Sequence, residues 1–77
     1  MMRIAIDVGG TFTDVVATDN TGATTFVKVP STPANQAEGV MHGLQTLAGR
    51  RGLTLHALLQ GTERIVHGMT VATNALL

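Results

Sequence analysis

Two apolar runs separated only by Gly9-Gly10-Thr11 leave a chain of this kind few ways to begin its fold. Ile4-Ala5-Ile6-Asp7-Val8 and Phe12-Thr13-Asp14-Val15-Val16-Ala17-Thr18 are rich in residues that suit a pleated, half-buried surface. The glycines between them let the backbone reverse tightly and approach a ligand with no Cβ in the way. The segment predicts an antiparallel hairpin. Side chains alternate faces along a strand, so a two-residue link puts Asp7, Phe12 and Asp14 on one side of the sheet. A slip of one residue would separate Asp7 from the other two. Exposed amides at such a turn form a small anion-binding concavity. Here a carboxylate stands at its base, and the hydroxyls of Thr11 and Thr13 follow.

A second turn, Asp19-Asn20-Thr21-Gly22, leads into a third strand, Thr24 to Val29. Pro30 and Pro33 then take the chain out of the sheet. From Asn35 to Arg50 the apolar positions Ala37, Val40, Met41, Leu44, Leu47 and Ala48 recur at helical spacing, and Gly52 closes the helix. Gly39 and Gly43 within it are either tolerated or mark a close approach to a neighbouring backbone. Arg50-Arg51 suits the negative end of the helix dipole. Leu53 to Gln60 predicts a short second helix capped by Thr54 and stopped by Gly61. Ile65-Val66-His67 reads as a fourth strand ending at Gly68, with His67 as a hydrogen-bonded group of a buried strand. Thr70 to Leu77 reads as a last helix, with Thr70 at its start as an N-cap or a binding group. The order is β-β-β-α-(α)-β-α, an α/β fold with a mixed sheet. A strand reached through a helical crossover lies parallel to the first. In such sheets ligands bind beyond the carboxyl ends of the strands. Asp7 to Thr11 and Gly68 to Asn74 would therefore meet at one crevice, where Thr70, Thr73 and Asn74 are candidates for substrate or phosphate contact.

Composition narrows the function. The chain has 77 residues, 44% hydrophobic and 13% charged, with a mean hydropathy of +0.27. That is the make-up of a protein interior, so the expectation is a portion of a larger unit. The formal net charge is zero and the one basic cluster is Arg50-Arg51, which argues against nucleic acid as a partner. No run is long enough to span a membrane, and no secretory leader pattern opens the sequence, so a cytoplasmic location is expected. There is no cysteine for a disulfide or thiolate, and the three histidines lack zinc-ligand spacing. Lys28 reads as an edge-strand lysine that discourages aggregation.

The familiar phosphate motifs do not fit. A dinucleotide fingerprint opens a helix and a P-loop ends in Gly-Lys-Ser/Thr, whereas here a strand follows the glycines and no lysine is near. A strand-turn-strand cradle with a carboxylate at its base remains, as in ATPases of the actin and hexokinase type. Ile4 to Asp14 resembles the opening of the hydantoinase and 5-oxoprolinase family, which is related to ketone carboxylases. Lys28-Val29-Pro30-Ser31-Thr32-Pro33 and His67 to Leu77 resemble that family's next two blocks in the same order, with a departure at Met69, where a threonine is expected.

The resemblance implies a ribonuclease H-like fold of which residues 1–77 form the N-terminal portion of an actin-like ATPase domain. It implies ATP and Mg²⁺ as cofactors, with Asp7 holding the metal, Asp14 assisting as a second catalytic carboxylate, and Gly9, Gly10, Thr11 and Thr13 binding the nucleotide phosphates. The implied reaction is ring opening of a cyclic amide through phosphorylation, with the remainder of the chain and a second enzyme subunit as partners. The alternatives are a subunit of an ATP-dependent ketone carboxylase, a sugar-kinase-like phosphotransferase, and a non-catalytic actin-like structural protein.

Overall fold

A computed structural model describes residues 1–69. Three strands, β1 (Met2–Val8), β2 (Phe12–Thr18) and β3 (Thr24–Pro30), are followed by helices α1 (Gln36–Arg50) and α2 (Leu55–Gln60) and by strand β4 (Thr62–Met69). The four strands form one sheet in the order β3-β2-β1-β4. β1 pairs antiparallel with β2, β2 antiparallel with β3, and β1 parallel with β4. The mixed sheet and the parallel return strand are those the sequence predicts. The expected last helix, and with it Thr70, Thr73 and Asn74, lies outside the described residues.

Alternation sorts the strand residues onto two faces. Ile4, Ile6, Val8, Val15, Ala17, Val27 and Val29 are buried on the face that α1 covers, together with Leu44, Leu47, Ala48 and Leu58. Full burial of Leu47 or Leu58 contributes roughly 2–3 kcal/mol each. The other face is open and carries Arg3, Ala5 and Asp7 from β1, Phe12, Asp14 and Val16 from β2, and Phe26 and Lys28 from β3.

The buried stripe of α1 differs from the apolar reading. Gly39, Gly43, Leu44, Leu47 and Ala48 face the sheet, while Met41 and Ala37 are exposed. The glycines are the reason for the rotation, because they let the helix settle closely on β2 and β3. A Cβ at Gly43 would lie 2.7 Å from Val15 Cγ2, and one at Gly39 would lie 2.9 Å from Thr32 Oγ1. The helix start is tied by Thr32: the Gly39 amide donates to Thr32 Oγ1 at 2.8 Å, and that hydroxyl donates to Asn35 O at 2.6 Å. At its end Gly52 takes φ +70°, while Leu53 N–H donates to Ala48 O (2.8 Å) and Gly52 N–H to Gly49 O (3.1 Å). These paired bonds are a Schellman motif. Thr54 caps α2 by accepting from Ala57 N–H at 3.1 Å.

Three further expectations change. β4 begins at Thr62 rather than Ile65, because pairing with β1 draws Thr62, Glu63 and Arg64 into the ladder. His67 is exposed rather than buried, and Ile65 and Val66 beside it are 46% and 56% exposed, since α1 packs chiefly on β2 and β3. Arg51 does more than complement a dipole: it reaches the turn between β2 and β3, donating to Thr25 Oγ1 at 2.8 Å and to Asp19 Oδ2 at 3.0 Å. Among the described residues no helix is long and apolar enough to cross a membrane.

Candidate functional site

The register places Asp7 directly opposite Asp14 and Val8 opposite Thr13, and Gly9 N–H donates to Phe12 O at 3.0 Å. Gly10 and Thr11 are thus the two-residue link, and Asp7, Phe12 and Asp14 share the open face. In the neighbouring strands Gly68 lies beside Asp7 and Lys28 beside Asp14. One row across the sheet therefore reads Gly68, Asp7, Asp14, Lys28. It stands at the carboxyl ends of the parallel strands β1 and β4, where α/β sheets bind ligands.

Two carboxylates directly opposite on one face repel each other. Lys28 offsets this weakly: its Nζ is 3.8 Å from Asp14 Oδ1 and 5.3 Å from the centre of the Phe12 ring. At that distance it makes no hydrogen bond, and Asp14 Oδ1, although shielded from solvent, has no hydrogen-bond partner among the described residues. The pair presents hard oxygen ligands with unspent bonding capacity, a donor set that suits a divalent cation such as Mg²⁺. Among the described residues no group of three or more His, Cys, Asp or Glu could hold a metal by protein ligands alone. Mg²⁺, however, is commonly held by one or two carboxylates together with substrate phosphates.

The hairpin tip divides its polar groups unequally. The Gly9 amide closes the hairpin, the Gly9 carbonyl accepts from the Ser31 hydroxyl at 2.7 Å, and the Thr11 carbonyl accepts from Ser31 N–H at 2.8 Å. Within the described residues the amides of Gly10 and Thr11 and the Thr11 hydroxyl have no partner, and both residues are exposed. Two-residue hairpin links usually need positive φ, yet neither residue takes it, and a Cβ at Gly10 would meet nothing within 4 Å among the described residues. Neither turn geometry nor internal packing calls for glycine at position 10. The space in front of it is open to a ligand.

The structure thus brings Asp7, Asp14, Gly10 and Thr11 together. It does not bring Thr13 to them. Thr13 is 1% exposed on the helix-covered face and its hydroxyl pairs with Ser31 Oγ at 2.9 Å. Gly9 likewise has no amide to spare. Ser31, which reads in the sequence as a spacer between two prolines, is the residue that sequence reasoning missed. Its sequence signals were its parity with Val29 on the buried face and its place in the block Lys28 to Pro33 that resembles the family. A depression of about 300 Å³ on the open face, bounded by Arg3, Ala5, Val16, Thr18, Arg64 and Val66, lies toward the opposite end of β1 and contains none of these groups.

A glycine-tipped hairpin at the carboxyl end of a four-stranded mixed sheet defines an α/β unit. Residues 3–77 match the hydantoinase/oxoprolinase N-terminal region, and the chain belongs to that family. It is 37% identical over 75 residues to the caprolactamase subunit alpha of Pseudomonas jessenii, covering 97% of this chain and 11% of that protein. It is 39% identical over 74 residues to the acetophenone carboxylase gamma subunit of Aromatoleum aromaticum, covering 96% of this chain and 10% of that protein. The nucleotide-free structure of acetone carboxylase, an enzyme of ATP-dependent acetone carboxylation, superimposes with a TM-score of 0.84 at 31% identity, over 96% of this chain and 10% of that one. The chain spans about a tenth of the length of the relatives it matches.

Proposed function

We propose that this chain is the phosphate-gripping N-terminal part of an ATP-dependent enzyme that opens a cyclic amide through phosphorylation, built on a ribonuclease H-like fold of the actin and hexokinase type. The observation that carries the reading is the pairing of unspent Gly10 and Thr11 amides with facing Asp7 and Asp14 carboxylates at one sheet end. Amides held in place before the ligand arrives stabilise developing negative charge without reorganisation. The Gly10 and Thr11 amides and the Thr11 hydroxyl bind phosphate oxygens, and Asp7 holds Mg²⁺ with Asp14 beside it. When bound, Mg²⁺ neutralises charge on the phosphates during transfer. Gly68 keeps the space beside Asp7 free of a side chain, and Thr70, Thr73 and Asn74 follow it in the chain as substrate contacts.

An amide carbonyl is a poor electrophile, and a phosphoryl group on its oxygen supplies a good leaving group. A relative named for caprolactam, itself a cyclic amide, supports this substrate class. Ketone carboxylation is the second reading, favoured by the acetone and acetophenone carboxylase matches. ADP release by the full-length protein with its partner subunit decides between them. Turnover with caprolactam, hydantoin or 5-oxoproline supports the amide reading. Turnover only with acetone or acetophenone plus bicarbonate replaces it, and no substrate-dependent ADP release in either panel removes both.

A further inference from the structure

We propose that Ser31 is a positioning residue that aims the Gly10 amide of the hairpin at the terminal phosphates of a nucleoside triphosphate; the inference rests on the phosphate reading of the hairpin. Among the described residues Ser31 is the one that holds both carbonyls of the tip, through its hydroxyl at Gly9 O (2.7 Å) and its N–H at Thr11 O (2.8 Å). A hydroxyl has one proton to donate. Since that of Ser31 goes to Gly9 O, the 2.9 Å contact with Thr13 is a bond donated by the Thr13 hydroxyl. A directed chain thus runs from buried Thr13 through Ser31 to the hairpin.

This chain of bonds fixes a direction. A trans peptide holds its C=O and N–H antiparallel, and no cis peptide is present among the described residues. Drawing the Gly9 carbonyl toward Ser31 and Thr13 therefore turns the Gly10 N–H away from the core, toward open space. The same pull keeps two carbonyl oxygens, which would repel a phosphate, off the outer surface. The base of the clamp is firm on both sides. Pro30 restricts the backbone before Ser31, and Thr32 after it is tied to the start of α1 through Gly39 and Asn35.

A serine that merely secured the end of β3 would affect all ligands alike, whereas one that orients an amide toward the outer phosphates affects only ligands that carry them. In the full-length protein, equilibrium titrations with ATP and AMP separate the two. Ser31→Ala is expected to weaken ATP about ten-fold while leaving AMP unchanged. Ser31→Thr, which keeps the hydroxyl, is expected to restore ATP binding to within about two-fold of wild type. Thr13→Val removes only the first bond of the chain and is expected to shift ATP alone, by about three-fold. It also serves as the deciding variant should Ser31→Ala fail to fold. Equal losses for ATP and AMP, or an ATP/AMP ratio unchanged in both Ser31→Ala and Thr13→Val, would overturn the clamp. A wild-type protein that binds ATP no better than AMP would instead remove the phosphate reading, and the clamp with it.

Discussion

Two turns join the three antiparallel strands, and they use the same kinds of residues to opposite ends. The turn after β2 turns its carboxylate inward on its own amides. Asp19 Oδ1 accepts from the amides of Thr21 (2.9 Å) and Ala23 (3.1 Å) and from the Thr21 hydroxyl, while Oδ2 takes the Arg51 guanidinium at 3.0 Å. Its Gly22 uses the left-handed freedom that only glycine has cheaply, at φ +87°. The turn after β1 holds its carbonyls and withholds the amides of Gly10 and Thr11, its Gly10 needs no special φ, and its nearest carboxylates face each other with only a distant lysine beside them. A turn made for structure closes on itself. One that leaves donors and acids unspent is arranged for something outside the chain.

The largest test of that contrast is Asp7→Ala in the full-length protein. Loss of the metal ligand is expected to lower substrate-dependent ATP hydrolysis by about 100-fold or more. Folding should not suffer, because the substitution also relieves the repulsion between Asp7 and Asp14. Steady-state ADP release and a thermal melt on the same preparation check both halves. Retained turnover would take Asp7 out of the site, and a collapsed melt would make it structural.

The glycines provide the next contrast. Gly10→Ala meets no internal obstruction, so the melting temperature should hold to within about 0.5 kcal/mol of stability, while ATP affinity falls about ten-fold as a Cβ enters the ligand's approach. Gly22→Ala should do the reverse, costing roughly 1–2 kcal/mol for a side chain at positive φ with ATP affinity unchanged. Denaturant unfolding and nucleotide titration of the two variants side by side would show it. If Gly10→Ala leaves ATP binding intact, the open space before the hairpin is not a phosphate site.

Much of this was readable before any coordinates, and the reasons are local. Alternation and the two glycines were enough to place β1 and β2; that Asp7, Phe12 and Asp14 share one face depended on a two-residue link, and the observed register is that one. The same alternation puts Thr13 on the buried side, so the structure turns its hydroxyl to the core and not to the phosphate role expected of it. What escaped was tertiary. Of the two readings open for Gly39 and Gly43 the close approach holds, but the sequence did not show that they define the face of α1 that meets Val15 and Thr32. Thr62, Glu63 and Arg64 do not look like a strand, and only the parallel partner makes them one. Ser31 and Arg51 act across 22 and 32 residues of sequence, distances over which pattern gives no guide. Membership of the hydantoinase/oxoprolinase family was legible because three short blocks lie in order along nearly the whole chain.

The smallest predicted effect lies in the structural turn and concerns acid. The bond from the Thr21 hydroxyl, and after it the Arg51 guanidinium, holds the Asp19 carboxyl down from 3.8 to about 2. A depressed carboxylate stabilises the fold at pH values above its unfolded pKa, and that contribution is lost as pH falls through the folded value. The window is therefore pH 4 down to about 2. Melting temperature should fall more steeply across it in the wild-type protein than in Asp19→Asn, which has no proton to gain. Thr21→Val should flatten the slope more than Arg51→Met does, since the hydroxyl bond is the larger cause. ATP affinity at neutral pH should be unchanged in all three, because this turn lies at the opposite end of β2 from the hairpin tip. A loss of nucleotide binding in Asp19→Asn would mean that the two turns are coupled through β2, and that the division of labour between them does not hold.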